Sequence, residues 1–380
     1  MIYRKLGRTG VDISAVSLGA EHLEYAPFEV VDEVVNEALG YGVNYIDLFM
    51  ASPGVRDNFG RVLKGKRDSV MLCGHIGACM VDSQYKRSRD PKLCETYYED
   101  ILRRTRSDYM DVSMIHYVDT LDDAERVMAE DGLLDLALRY KKEGKSRFVG
   151  VSSHSPSAAL KLIGSGAIDV LMFSINPVHD VLGDASIDDM LSSEGTIYAS
   201  IDKGINPLRD ELFHVCERSG VAIVTMKTYC AGWLLNPNNN FGVTLTPEQC
   251  IHYALSRPGV AAVLPGCRSA EQVRQAMAYL TADDRARDYS EALNASRLWK
   301  KNSACMYCNH CLPCPVGIDV AETTRLRDLA LLGMTDELRE RYEALPVKAS
   351  DCLFCGSCEG NCPFGIKVMG NIKEAAGLFE

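Results

Sequence analysis

At 380 residues the chain has room for a barrel domain of about 250 residues and a further small domain. Its 47% apolar and 24% charged residues suit a folded protein with a sizeable core, and a net charge of −11 argues against a broad basic face for nucleic acid. No run of about 18 apolar residues argues for a membrane span, and no apolar stretch after Met1–Arg8 argues for export. The fifteen cysteines are therefore expected to stay reduced in the cytoplasm, where they point to metal or cluster ligation more than to disulfides.

The chain opens on a predicted hairpin, Tyr3–Leu6 and Val11–Ser14 around Arg8-Thr9-Gly10, expected to cover a barrel floor. Short apolar runs then alternate with longer amphipathic segments. The predicted strands are Ala15–Leu18, Asn44–Leu48, Val70–Cys73, Met110–Ile115, Arg147–Val151, Val170–Ser174, Val221–Thr225 and Ala261–Leu264. Eight βα repeats of this size predict a closed parallel (β/α)8 TIM barrel. An open doubly wound sheet is the competitor, but no G-x-G-x-x-G follows the first strand. Lys86–Arg89, the most basic stretch, reads as a solvated loop or an anion contact. Asp90-Pro91 reads as a helix N-cap with proline at the first helical position, Thr246–Gln249 and Ser269–Gln272 as capping boxes, and Gly144 as a helix stop.

After about Ala282 the pattern changes. We expect the barrel over residues 1–285, a boundary near 283–298, and a second, mostly α-helical domain over 299–380. That domain reads Cys305-x2-Cys308-x2-Cys311-x2-Cys314-Pro315, then Cys352-x2-Cys355-x2-Cys358-x3-Cys362-Pro363. Three closely spaced cysteines can each reach a different iron of one cubane, and a remote Cys-Pro supplies the fourth ligand. By ferredoxin logic, Cys305, Cys308, Cys311 and Cys362 hold one [4Fe–4S] cluster, and Cys352, Cys355, Cys358 and Cys314 hold the other. The first motif has two residues, not three, before its Cys-Pro, so Cys314 departs from the pattern. Zinc is the alternative for eight thiolates, but zinc sites usually pair two cysteines and then skip a distance. The seven other cysteines lack ligand spacing and read as small buried hydrophobes.

Five stretches in order, Tyr3–Val11, Gly42–Asp47, Tyr109–His116, Phe148–Ser153 and Leu264–Ser269, resemble the aldo/keto reductase superfamily, within which a subset carries a double-cluster extension. The resemblance implies carbonyl reduction with NAD(P)H by a tetrad of Asp, Tyr, Lys and His. Asp47 and His116 match it. Ser52 stands where the tyrosine belongs, with no tyrosine between Tyr45 and Tyr85, and His75 stands where the lysine belongs. Among the implied cofactor positions, Ser152 and Ser153 lie at the nicotinamide carboxamide, Met172 and Met226 replace a glutamine and an aromatic, and Arg268 and Ser269 remain for an adenosine phosphate.

Active sites of such barrels sit where strands end. His75, His116 and His154 are expected to follow the third, fourth and fifth strands, with His22 and His179 slightly beyond the first and sixth, and Lys227 past the seventh. Asp47, His75, His116 and His154 are thus the expected catalytic set, with Asp47 favouring an imidazolium at His75. The same residues have the ligand types for a divalent metal. The leading reading is an oxidoreductase acting on a small organic substrate, whose clusters pass electrons to that substrate or between a nicotinamide and an external carrier, such as an electron-transfer protein. A redox-neutral lyase, isomerase or hydrolase with structural clusters is the alternative, and an electron-carrier subunit with the barrel as a docking scaffold is a third.

Overall fold

The computed structural model describes residues 1–184, 205–239, 243–295 and 305–380. Residues 299–304, where the second domain is expected to begin, lie outside the described residues. An antiparallel hairpin of β1 (Tyr3–Lys5) and β2 (Asp12–Ser14) precedes the barrel. The barrel strands are β3 (Leu18–Gly19), β4 (Tyr45–Leu48) and β5 (Met71–Ile76). A second hairpin, β6 (Ala78–Val81) with β7 (Gln84–Arg87), follows at once. The barrel then continues through β8 (Met110–Ile115), β9 (Ser146–Ser153), β10 (Val170–Ser174), β11 (Ala222–Met226) and β12 (Val260–Val263).

All eight barrel strands run parallel in the order β3-β4-β5-β8-β9-β10-β11-β12. Bridges from Val16 to Val263 and from Gly19 to Gly266 close the ends. The expected eight strands and the expected helix caps are present: Asp90 accepts from Lys92 N and Leu93 N, and Thr246 and Gln249 form a reciprocal box. At Ser269 the hydroxyl caps its helix, but Gln272 reaches back to the backbone of Arg268 instead of Ser269.

Two expectations need correcting. The third barrel strand runs to Ile76, so His75 lies inside it rather than after it. The basic stretch is not a free loop: Lys86 and Arg87 are on β7, and Arg87 and Arg89 both bind Asp123.

Strand periodicity explains where the site forms. Side chains two apart share a face, and the barrel interior is filled by Tyr45, Met71, Cys73, Val112, Met114, Met172 and Val224 above a floor of Leu6 and Ile13. Continuing that phase upward puts Asp47 above Tyr45, His75 above Cys73 and His116 above Met114. Three polar side chains on neighbouring strands thus reach the same layer at the top of an apolar plug.

Beyond the barrel, the helices Val320–Leu332 and Val368–Phe379 pack on each other, with Asp336–Glu343 against the first of them. The expected, mostly α-helical character of the second domain is present among its described residues. Arg325 binds Asp210 of the barrel and Arg341 reaches Glu211 at 2.8 Å, which ties this region to the barrel helix Pro207–Ser219.

Candidate active site and cluster region

At the barrel mouth, Asp47 Oδ1 lies 2.9 Å from His75 Nε2, and His75 Nδ1 lies 2.7 Å from His116 Nδ1. His116 Nε2 lies 2.5 Å from the hydroxyl of Tyr85. Asp47, His75 and His116 are 5%, 2% and 9% exposed, whereas Tyr85 is 46% exposed. The ring of Phe49 stacks on His116 at 5.4 Å and lies edge-on to Tyr85. Burial, then the neighbouring His75, holds the His116 imidazole well below its ordinary pKa, so it rests neutral. Burial pushes the Tyr85 phenol up to about 12, against a downward pull from Arg87 and Arg89.

Tyr85 is the site residue that sequence reasoning missed. It reaches His116 only because β6 and β7 fold back over the mouth through a two-residue turn. The available signal was the residue pattern from Ala78 to Tyr85 with Asp82-Ser83 at its centre.

His154 sits apart from this set. Its Nδ1 lies 2.9 Å from Asp119 Oδ2, its backbone N–H donates to Asp119 Oδ1 at 2.7 Å, and its buried Nε2 has no partner among the described residues. Burial lowers its pKa even with Asp119 opposing. His179 is buried beside Cys230, 3.8 Å from Nε2 to Sγ, and His22 packs by Gly266. The five rim histidines therefore do not form one cluster. Ser52 is buried with its hydroxyl unpartnered among the described residues, and burial lowers the pKa of the Lys227 ammonium.

Asp47, Cys73 and His75 place one ligand atom each within 4.8 Å of one another. They fit a metal poorly, because both ring nitrogens of His75 are committed to Asp47 and His116. The nicotinamide positions are also occupied by other duties. Ser152 Oγ accepts from Tyr117 N at 2.7 Å, and Ser153 Oγ donates toward Asp119 and Ser155 O while accepting from Ser155 N. Met172 is buried in the plug and Met226 packs at its edge. Arg268 is exposed, and Ser269 is a helix cap.

In the second region, Cys314, Cys352, Cys355 and Cys358 line one cavity, with Val316 and Ile372 among its apolar walls. The Cys305–Cys308 and Cys352–Cys355 turns are alike. Tyr307 and Phe354 both have positive φ, and each donates its N–H to the sulfur two residues before it, at 3.3 and 3.4 Å. Burial and the neighbouring thiols Cys308, Cys358 and Cys362 push Cys311 up to about 12. No three of these eight sulfurs fall within 4.8 Å of one another. The other seven cysteines are buried.

Comparison with known proteins agrees with both halves. The 4Fe-4S dicluster domain family matches residues 271–367, so the chain carries iron–sulfur clusters. A reductase of Escherichia coli (strain K12), L-glyceraldehyde 3-phosphate reductase, is 28% identical over 173 residues, 43% of this chain and 48% of its own. The chain thus spans about half the length of that relative. An uncharacterized oxidoreductase of Bacillus subtilis (strain 168), YqkF, is 22% identical over 286 residues, 72% of this chain and 89% of its own. In fold, the chain is similar to the holo form of aldo-keto reductase AKR11C1 from Bacillus halodurans, with a TM-score of 0.60 at 20% identity, covering 76% of this chain and 94% of that one. The Aldo/keto reductase family matches residues 15–242, and together with the barrel this makes the chain a member of that family with a 4Fe-4S dicluster extension.

Proposed function

We propose that the protein acts on a small organic substrate at the barrel mouth, with Asp47, His75 and His116 as its proton-handling centre. The observation that carries this reading is the continuous hydrogen-bonded line from Asp47 through His75 to His116, buried where the eight strands end. A histidine in place of the family's lysine changes what the site can do. A lysine acts as a fixed charge, whereas an imidazole accepts at one nitrogen and donates at the other.

Electrons are carried by two [4Fe–4S] clusters, which supply one-electron transfer. We assign Cys305, Cys308, Cys311 and Cys362 to one and Cys314, Cys352, Cys355 and Cys358 to the other. The cavity shared by Cys314 with the second motif supports the exchange of fourth ligands. Residues 1–285 form the barrel domain and 299–380 the cluster domain. The commitment of the Ser152 and Ser153 hydroxyls speaks against nicotinamide as the electron source, and an electron-transfer protein takes that part. The cytoplasm is the expected compartment.

Anaerobically prepared protein should hold about eight irons per chain; zinc with little iron would overturn the cluster assignment. Glyceraldehyde reduction by dithionite-reduced methyl viologen, and glycerol oxidation by ferricenium, test both directions. Replacing His75 or His116 by Gln should lower turnover of the active direction by about 10²–10⁴-fold with iron unchanged. Wild-type rates in both variants would move the chemistry elsewhere.

A further inference from the structure

The contact that nothing in the sequence announced is the one between Tyr85 and His116. Its length decides its direction. At 2.5 Å it falls in the range of O–H donors and is shorter than the usual 2.7–3.2 Å of N–H donors. Tyr85 therefore donates its O–H to His116 Nε2, which must be bare. A neutral His116 then carries its hydrogen on Nδ1 and donates to His75 Nδ1, which must be bare in turn. The His75 hydrogen is left on Nε2, facing Asp47, and a carboxylate can only accept. Every bond in the line points inward, and no other assignment of hydrogens satisfies all three contacts once Tyr85 is the donor.

We infer that Tyr85 is the catalytic residue that meets the substrate, and that it takes a proton from a substrate hydroxyl and passes one inward along His116 and His75 to Asp47. This rests on the reading of Asp47, His75 and His116 given above and extends it to the substrate class. Having donated inward, the Tyr85 oxygen keeps its lone pairs for the exposed side, so its resting partner is a hydroxyl compound. In the transfer, the substrate O–H bond breaks and a new O–H forms on Tyr85. The old Tyr85 hydrogen moves to His116 Nε2, the Nδ1 hydrogen of His116 to His75 Nδ1, and the Nε2 hydrogen of His75 to Asp47. One proton leaves the substrate, one arrives on Asp47, and both rings end neutral with their tautomers exchanged. The line carries protons only. Run backward from a protonated Asp47, it returns the proton.

Exposure fits this division of labour. The two histidines are sealed beneath Phe49 and Tyr85, so a substrate touches the phenol and not the imidazoles. The groups facing Tyr85 and His116 are Arg87, Arg89, Tyr117, Cys79 and His154. Both arginines are bound to Asp123, so they stabilise charge on the phenol without taking its proton. The phenol rests protonated, as its raised pKa requires.

The test is nitrogen NMR of the holoprotein with ring-labelled histidine, paired with turnover. We expect His75 protonated at Nε2 and His116 at Nδ1, and Tyr85→Phe to shift the His116 Nε2 signal while sparing His75. His116 protonated at Nε2, or an unmoved signal in Tyr85→Phe, overturns the inference. With glycerol and ferricenium, Tyr85→Phe should lower turnover by about 10²–10⁴-fold with iron content unchanged. Turnover kept in Tyr85→Phe but lost in His116→Gln would overturn the role of Tyr85 and leave the oxidoreductase reading intact. The oriented line with no wild-type turnover of glycerol or glyceraldehyde would count against that reading and uphold the relay.

Discussion

A buried imidazole that stays neutral makes folding sensitive to acid, and this chain holds several. Burial lowers His116, His154 and His179, the first and last well below the ordinary value. The unfolded chain takes up a proton on each as pH falls through about 6.5, while the folded chain does not, so stability is lost below that pH. For His179 alone the loss between pH 6.5 and 5 is on the order of 2 kcal/mol, at about 1.36 kcal/mol per unit. His179→Leu should therefore unfold less steeply with acid than the wild type when urea midpoints are compared between pH 7 and 5. Equal slopes would mean that His179 is not held neutral. At this scale Asp47, His75 and His116 were legible, because the family resemblance and their places near strand ends pointed to one barrel mouth. Ser152 and Ser153 were less legible, since the bonds of their hydroxyls to Tyr117, Asp119 and Ser155 are seen only in the fold.

The hairpin of β6 and β7 shows what pattern reading loses at the scale of an element. Its turn residues, Asp82 and Ser83, have φ of 52° and 60°. Two left-handed residues make the tight turn that matches strand twist, and Asn-Gly is its usual sequence signal. Asp-Ser lacks that signal, and the basic run after it looked like solvated loop. The eight barrel strands carried stronger marks, being apolar on both faces and alternating with amphipathic segments. Ser83 is exposed, and a non-glycine residue in the left-handed region costs roughly 1 kcal/mol. Ser83→Gly should accordingly raise the thermal midpoint while leaving the Tyr85–His116 contact and turnover in place. A lowered midpoint would show that Ser83 makes a compensating contact and that the hairpin is held otherwise.

Across the whole molecule, the barrel mouth and the cluster region share one buried ionic network. Asp180 is fully buried between Arg209, at 3.3 Å, and Arg257, at 3.8 Å, and accepts from the hydroxyl of Tyr253 at 2.9 Å. Arg209 donates to the backbone oxygen of His154 at 3.2 Å. Arg257 lies over the Tyr253 ring and reaches the backbone oxygen of Met306, next to Cys305. The cysteine spacing announced a two-part chain, but these residues are far apart in sequence and carry no spacing, so the joint between the parts was not legible. Its energetics follow from the charges. Removing one member of a buried ion network leaves its partners uncompensated, at a cost of about 3–5 kcal/mol. Asp180→Asn strands two guanidiniums at once, and Arg257 is the one that steadies the loop of Cys305. The variant should lose roughly that much stability and release iron at lower denaturant than the wild type. Arg257→Met, which removes a charge instead of orphaning one, should unfold later than Asp180→Asn. Unfolding curves followed by cluster absorbance and by barrel fluorescence give both numbers. An Asp180→Asn protein within about 1 kcal/mol of wild type, holding its iron equally well, would mean that barrel and cluster region are stabilised independently.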